Sequence, residues 1–205
     1  MNIFPFGSPQ VATDVSSPSI DADPFLSADG LSMYMRSTRP GTLGDGDIFI
    51  ATRATTTSAF STPVDLPNVS SPADDREPYV TNDGSELWLA SSRAGSVQLF
   101  RALVVDGAFG AVSAVTELNA PGAEDEAPVL ASDGLTVYFA SNRDGATQVY
   151  VAHRLAMNAP FAAPTLVAGI NTAGASPSWI SPDSCRLYFT RPSPSGIQLY
   201  VATRH

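Results

Sequence analysis

Residues 126–154, EAPVLASDGLTVYFASNRDGATQVYVAHR, decide the fold. They predict three short strands, over 128–131, 135–140 and 148–152. Ser132-Asp133-Gly134 makes the first turn and Asn142-Arg143-Asp144-Gly145 the second. Both loops carry an Asp-Gly pair, and Gly supplies the positive φ that a tight hairpin requires. Val, Tyr, Phe and Leu between the turns suit a pleated, buried surface.

The stretch occurs four times. Asp29, Asp83, Asp133 and Asp183 open the same turn, in SADG, TNDG, ASDG and SPDS, at spacings of 54, 50 and 50 residues. Five residues further stands an aromatic, Tyr34, Trp88, Tyr138 or Tyr188, followed by Met35, Leu89, Phe139 or Phe189. An S-x-R arrangement ends in Arg39, Arg93 and Arg143, and the fourth copy departs from it with Arg191-Pro192-Ser193. Phe49, Phe100, Tyr150 and Tyr200 mark the third strand. An all-β repeat of about 50 residues reads as propeller blades. A fourth, outer strand per blade follows Phe60, Phe109 and Phe161, and its prolines place it at an edge. Its remaining copy, over 6–13, precedes the first blade. The expected fold is therefore all-β, a four-bladed β-propeller of four-stranded antiparallel blades. The N-terminal strand joins the C-terminal blade and closes the ring, which removes an exposed edge. One domain spans 1–205, with blades at about 18–66, 67–117, 118–168 and 169–205 completed by 6–13. The rival is a half-ring that pairs with a second copy into eight blades.

S-x-D-G, an apolar run, S-x-R-x-G and Q-[LV]-[FY]-V-A resemble the TolB-like propeller repeat of bacterial envelope proteins, over nearly the whole of residues 6–205. The resemblance implies a rigid scaffold that binds envelope partners, in a periplasmic or extracellular setting. It does not imply one activity, because the repeat also occurs in gating domains of peptidases and in lyases. TolB-like repeats usually come in rings of more than four blades.

Composition narrows the ligands. The net charge of −9 and pI near 4.4 disfavour nucleic acid and anionic membranes and suit cations or basic partners. All eleven basic residues are Arg, which removes lysine chemistry. Two histidines, His153 and His205, are too few for a multi-His zinc site. The single Cys185 forbids an intramolecular disulfide and reads as a half-buried spacer. Met1 to Gln10 show no signal peptide, and no stretch has the length of a membrane span. Either the chain is cytoplasmic or a leader has been removed, and the resemblance favours the second.

The acids gather just before each first strand. Asp21, Asp75 and Asp125 lie eight residues before the turn Asp, and Asp23 and Glu77 lie six before it; the fourth copy has Ala175 and Pro177 there. In a propeller these lead-in segments meet at the mouth of the central channel. Converging carboxylates of Asp21, Asp75 and Asp125 could hold Ca²⁺, which takes six to eight oxygens. The plainer expectation is that each acid pairs with Arg39, Arg93 or Arg143 on the same rim and that no cofactor is bound. The turn aspartates read as turn chemistry. Tyr34, Trp88, Tyr138 and Tyr188 read as packing between blades, and so do Phe25, Tyr79 and Trp179. The function that fits best is a non-catalytic protein- or peptide-binding scaffold that uses the lead-in and S-x-R loops, monomeric in preference to a homodimer. The alternatives are a metal- or carboxylate-dependent glycosidase or lyase acting on a polysaccharide at the channel mouth, and a structural self-assembling propeller.

Overall fold

The structure is a computed structural model that describes Ser8, residues 10–170 and residues 172–204. Among these residues there are strands and turns and no helix. The first blade holds β1 (Asp21–Leu26), β2 (Ser32–Ser37), β3 (Asp47–Thr52) and β4 (Val64–Asp65). The second holds β5 (Asp75–Val80), β6 (Glu86–Ser91), β7 (Gln98–Val105), β8 (Ala108–Phe109) and β9 (Ser113–Ala114). The third holds β10 (Asp125–Leu130), β11 (Thr136–Ser141), β12 (Gln148–His153) and β13 (Thr165–Leu166). The fourth holds β14 (Ser176–Ile180), β15 (Arg186–Ser193) and β16 (Gly196–Thr203). Each blade is an antiparallel meander in sequence order, and the four form a four-bladed β-propeller.

The turns follow from their residues. The carboxylate of Asp29, Asp83, Asp133 or Asp183 accepts the amide of the residue two further on, at 2.9 to 3.0 Å. Gly30, Gly84 and Gly134 take the left-handed conformation there, and in the fourth copy Ser184 takes it instead (φ 56°). The outer strands β4, β9 and β13 are two residues long, as edge strands often are. A hairpin at Asp106-Gly107, both at positive φ, extends β7 into β8 and was not legible as a separate element. The closing strand expected over 6–13 falls for most of its length outside the described residues.

Every inner strand carries a bulge. In β1, β5 and β10 the register slips between Ala22 and Phe25, Arg76 and Tyr79, and Glu126 and Val129. Asp23, Glu77 and Ala127 sit there at φ 52–55°, each followed by proline. A non-Gly residue in that region is strained, and such residues gather where a structure must aim a side chain. Here the bulge turns the residue six before the turn Asp toward the axis.

The core lies between blades. Tyr34 packs with Leu87, Leu89 and Phe100, and Trp88 packs with Phe139 and Tyr150. Tyr138 packs with Leu187 and Phe189. The expectation that these aromatics are core holds for Tyr34, Trp88 and Tyr138, whereas Tyr188 of the same set is only half-buried. Trp179 departs from it: 47% of its surface is exposed, because no described blade packs on that face of the fourth blade. Cys185 is likewise exposed rather than half-buried.

Candidate functional site: rim arginines and an axial acidic pocket

The lead-in acids and the S-x-R arginines form one arrangement three times over. Asp21, Asp75 and Asp125 stand opposite Ser37, Ser91 and Ser141 across the first strand pair. The S-x-R turn brings Arg39, Arg93 and Arg143 back over that pair. Each arginine Nε donates to the serine Oγ at 2.8 to 2.9 Å. Each Nη2 donates to the aspartate Oδ1 at 2.6 to 2.7 Å. It donates also to the carbonyl of Val15, Val69 or Leu118. The second carboxylate oxygen accepts the amide of Ser17, Ser71 or Ala120. The guanidinium planes lie 4.8 to 5.1 Å from the rings of Phe49, Phe100 and Tyr150. Burial alone would raise the Asp21 carboxyl, but the hydrogen bonds from Arg39, Ser37 and Ser17 outweigh it and hold the group down at about 2.

These acids therefore face their own blade's arginine rather than one another. Among the described residues, no group of three or more His, Cys, Asp or Glu is placed to hold one metal ion. One arginine Nη2 and a backbone amide already occupy the oxygens that a Ca²⁺ would need. The fourth blade has Ala175 at the acid's place, and its Arg191 lies 3.9 Å from the Tyr200 ring centroid. Arg93→Lys should destabilise the fold by about 1–2 kcal/mol, because one ammonium cannot serve Ser91, Asp75 and Val69 together. Urea unfolding measures this, and an unchanged midpoint would show the lock to be dispensable.

The second pair of acids meets at the axis. Asp23, Glu77, Ala127 and Pro177 bound a cavity of about 370 Å³, floored by the ring of Phe25 against that of Tyr79 at 4.6 Å. A ladder runs from blade to blade around it. The Glu77 amide donates to Asp23 Oδ2 at 3.3 Å, and the Ala127 amide donates to Glu77 Oε2 at 2.6 Å. The ladder stops at the third blade, where Ala127 has no carboxylate to offer and Pro177 has no N–H to give. Outside the ladder, Arg76 pairs with Glu126 at 2.6 Å, and Arg36 pairs with Asp74 at 2.6 Å. Burial, with Glu126 and Asp23 close by, pushes the Glu77 carboxyl up to about 7 despite the Ala127 N–H and the Arg76 charge. The eight rim residues singled out in the sequence thus divide into three ion pairs and one axial pocket.

A further ion pair lies deeper. Arg154, at the end of β12, makes a two-pronged contact with Glu86 of β6, at 2.9 Å to each oxygen. Trp88 Nε1 donates to the same carboxylate at 2.9 Å, and Arg154 lies 4.7 Å from the Phe161 ring centroid. Both charged side chains are buried between the second and third blades. Glu86 departs from the repeat, since the copies have Ser32, Thr136 and Arg186 at its place, whereas Arg154 has counterparts in Arg53 and Arg204. That departure was the one signal in the sequence.

The fold and the acidic axial pocket define a small four-bladed propeller with a polar channel mouth. Solved structures that share its fold include TolB propellers. The chain is 20% identical to TolB from Acinetobacter baumannii, with a TM-score of 0.58 over 89% of this chain and 40% of that one. It is 14% identical to a putative TolB from Agrobacterium tumefaciens, with a TM-score of 0.59 over 91% and 59%. A puromycin-hydrolyzing peptidase from Mycobacterium tuberculosis matches at 18% identity and a TM-score of 0.53, over 89% and 29%. The chain spans less than two thirds of each of these proteins. At such identities the likeness is one of fold. No family model and no curated protein sequence matches the chain.

Proposed function

We propose that the protein is a non-catalytic propeller scaffold that binds a peptide or protein segment on its lead-in face. The axial pocket takes a cationic group of that segment, an arginine, a lysine or an amino terminus. The observation that carries this is the pair of carboxylates, Asp23 and Glu77, in one pocket of about 370 Å³ at the convergence of all four blades. The rim acids are neutralised by their own arginines, so the pocket is where negative charge faces the channel. The resemblance to TolB-like repeats points the same way.

Titration of wild type with short arginine- or lysine-containing peptides should give saturable binding that tightens as the pH rises from 6 to 8. The sign follows from Glu77, whose carboxyl near 7 must lose its proton to meet a cation. Glu77→Gln and Asp23→Asn should each weaken binding by roughly tenfold or more with circular dichroism unchanged. Absence of binding by wild type, or an unaltered affinity in both variants, would end this assignment. A carboxylate-dependent enzyme would use the same two acids, and release of sugar ends from polyuronides would move the site to that class.

A further inference from the structure

Each packed interface between blades uses the same two faces. The forward face presents Tyr34, Trp88 or Tyr138 to the next blade. The back face receives it with Leu89 and Phe100, Phe139 and Tyr150, or Phe189 and Tyr200. Packing of this kind runs from β1 to β5, from β5 to β10 and from β10 to β14, and among the described residues nothing comparable joins the fourth blade to the first. Two faces lack a partner blade among the described residues. On the forward face of the fourth blade Leu199 is 65% exposed, whereas its counterparts Ile48, Leu99 and Val149 are 0% exposed. Val201 and Trp179 lie open beside it.

The back face of the first blade carries the matching residues, though it is not open as the fourth blade's face is. Met35, Phe49 and Ala51 are buried there with Val15, and Phe60 packs against them. Val15 gives its carbonyl to Arg39 as Val69 and Leu118 give theirs to Arg93 and Arg143. Val69 and Leu118 each follow by four residues the outer-strand residue, Asp65 or Ala114, that pairs with Phe49 or Phe100. Four residues before Val15 is Val11, which is 73% exposed, and the repeat assigns it to Tyr200 on the open edge of β16. The arginine that follows the third strand in three of the four blades agrees. Arg154 reaches back to Glu86, and Arg204 reaches back to the Tyr138 hydroxyl. Arg53 holds the same place in the first blade, and its ring partner Phe60 corresponds to Phe161. By the Arg204–Tyr138 pattern its target is the hydroxyl of Tyr188.

We propose that these two faces are the halves of one interface, completed by a second copy of the chain. Two copies related by a twofold axis join the fourth blade of each to the first blade of the other. Residues 10–11 of each copy add as the fourth strand to the partner's β16. Four blades from each copy make a ring of eight with no open edge, which meets the hazard of an exposed apolar strand.

Native mass spectrometry at micromolar concentration should show a dimer, and Leu199→Asp should raise its dissociation constant at least about tenfold with unchanged circular dichroism. In a Cys185→Ser background, chains carrying Val11→Cys mixed with chains carrying Tyr200→Cys should form a disulfide-linked pair on oxidation. A monomeric wild type, or a dimer indifferent to Leu199→Asp, would overturn the proposal. So would a chain carrying both cysteines that oxidises only to a fast-migrating monomer, because it would then close its own ring.

Discussion

Replacing Arg154 with alanine should cost the fold about 3–5 kcal/mol, and with it roughly 10 °C of melting temperature. The reason is not that the pair contributes that much. Taking Glu86 and Arg154 out of water is expensive, and their mutual contact repays a debt already incurred. Removing the guanidinium leaves the Glu86 carboxylate enclosed between two blades, with Trp88 Nε1 and a longer contact to Arg101 as its remaining donors. It also strips donors from the carbonyls of Gly134 and Met157. The double variant Glu86→Met with Arg154→Met should recover most of the loss, since two apolar side chains of similar volume need no partner. Urea unfolding of the two single variants and the double one measures the coupling directly. A loss under 1 kcal/mol in Arg154→Ala would mean that water reaches Glu86 in the folded protein.

The stability of the wild type relative to Glu77→Gln should fall with rising pH. An ordinary glutamate gives up its proton near 4.5, whereas Glu77 in the folded protein holds its own up to about 7. Between those values the folded state binds a proton that the unfolded state has released. Stability from this group is therefore full below 4.5, declines through the interval and is flat above 7. The glutamine variant lacks the slope. It should match wild type near pH 4.5 and exceed it by roughly 3 kcal/mol at pH 8. Urea midpoints taken from pH 4 to 9 test this, and a difference that does not vary with pH would show that solvent reaches the carboxylate. The trade is the one expected of a binding residue: a charge held in the axial pocket at a cost to the fold, recovered when a cation arrives.

The order of strands, the Asp-Gly turns and the blade-to-blade aromatics were legible because each depends on neighbours in sequence. A turn needs an Asp and a Gly side by side, and a strand needs alternation over six residues. Repetition then multiplies a weak local signal by four. The ion pairs of Arg39, Arg93 and Arg143 were legible for the same reason, since one blade contains both partners and repeats them at one offset. What a single blade cannot show is which residue of the next blade it meets. Asp21 and Asp23 are two residues apart, yet a bulge sends one to its own arginine and the other to the axis. Glu86 and Arg154 are 68 residues apart, and their pairing is not repeated among the described residues. Leu199 is an ordinary apolar residue until the array shows that its counterparts are buried and it is not. The sequence by itself determined the blades, because hydrogen bonding and side-chain alternation within a meander are local. Only the tertiary structure decided which charges are buried, which are shared at the axis and which face is left open. Those outcomes depend on solvent exclusion between surfaces that meet across the chain.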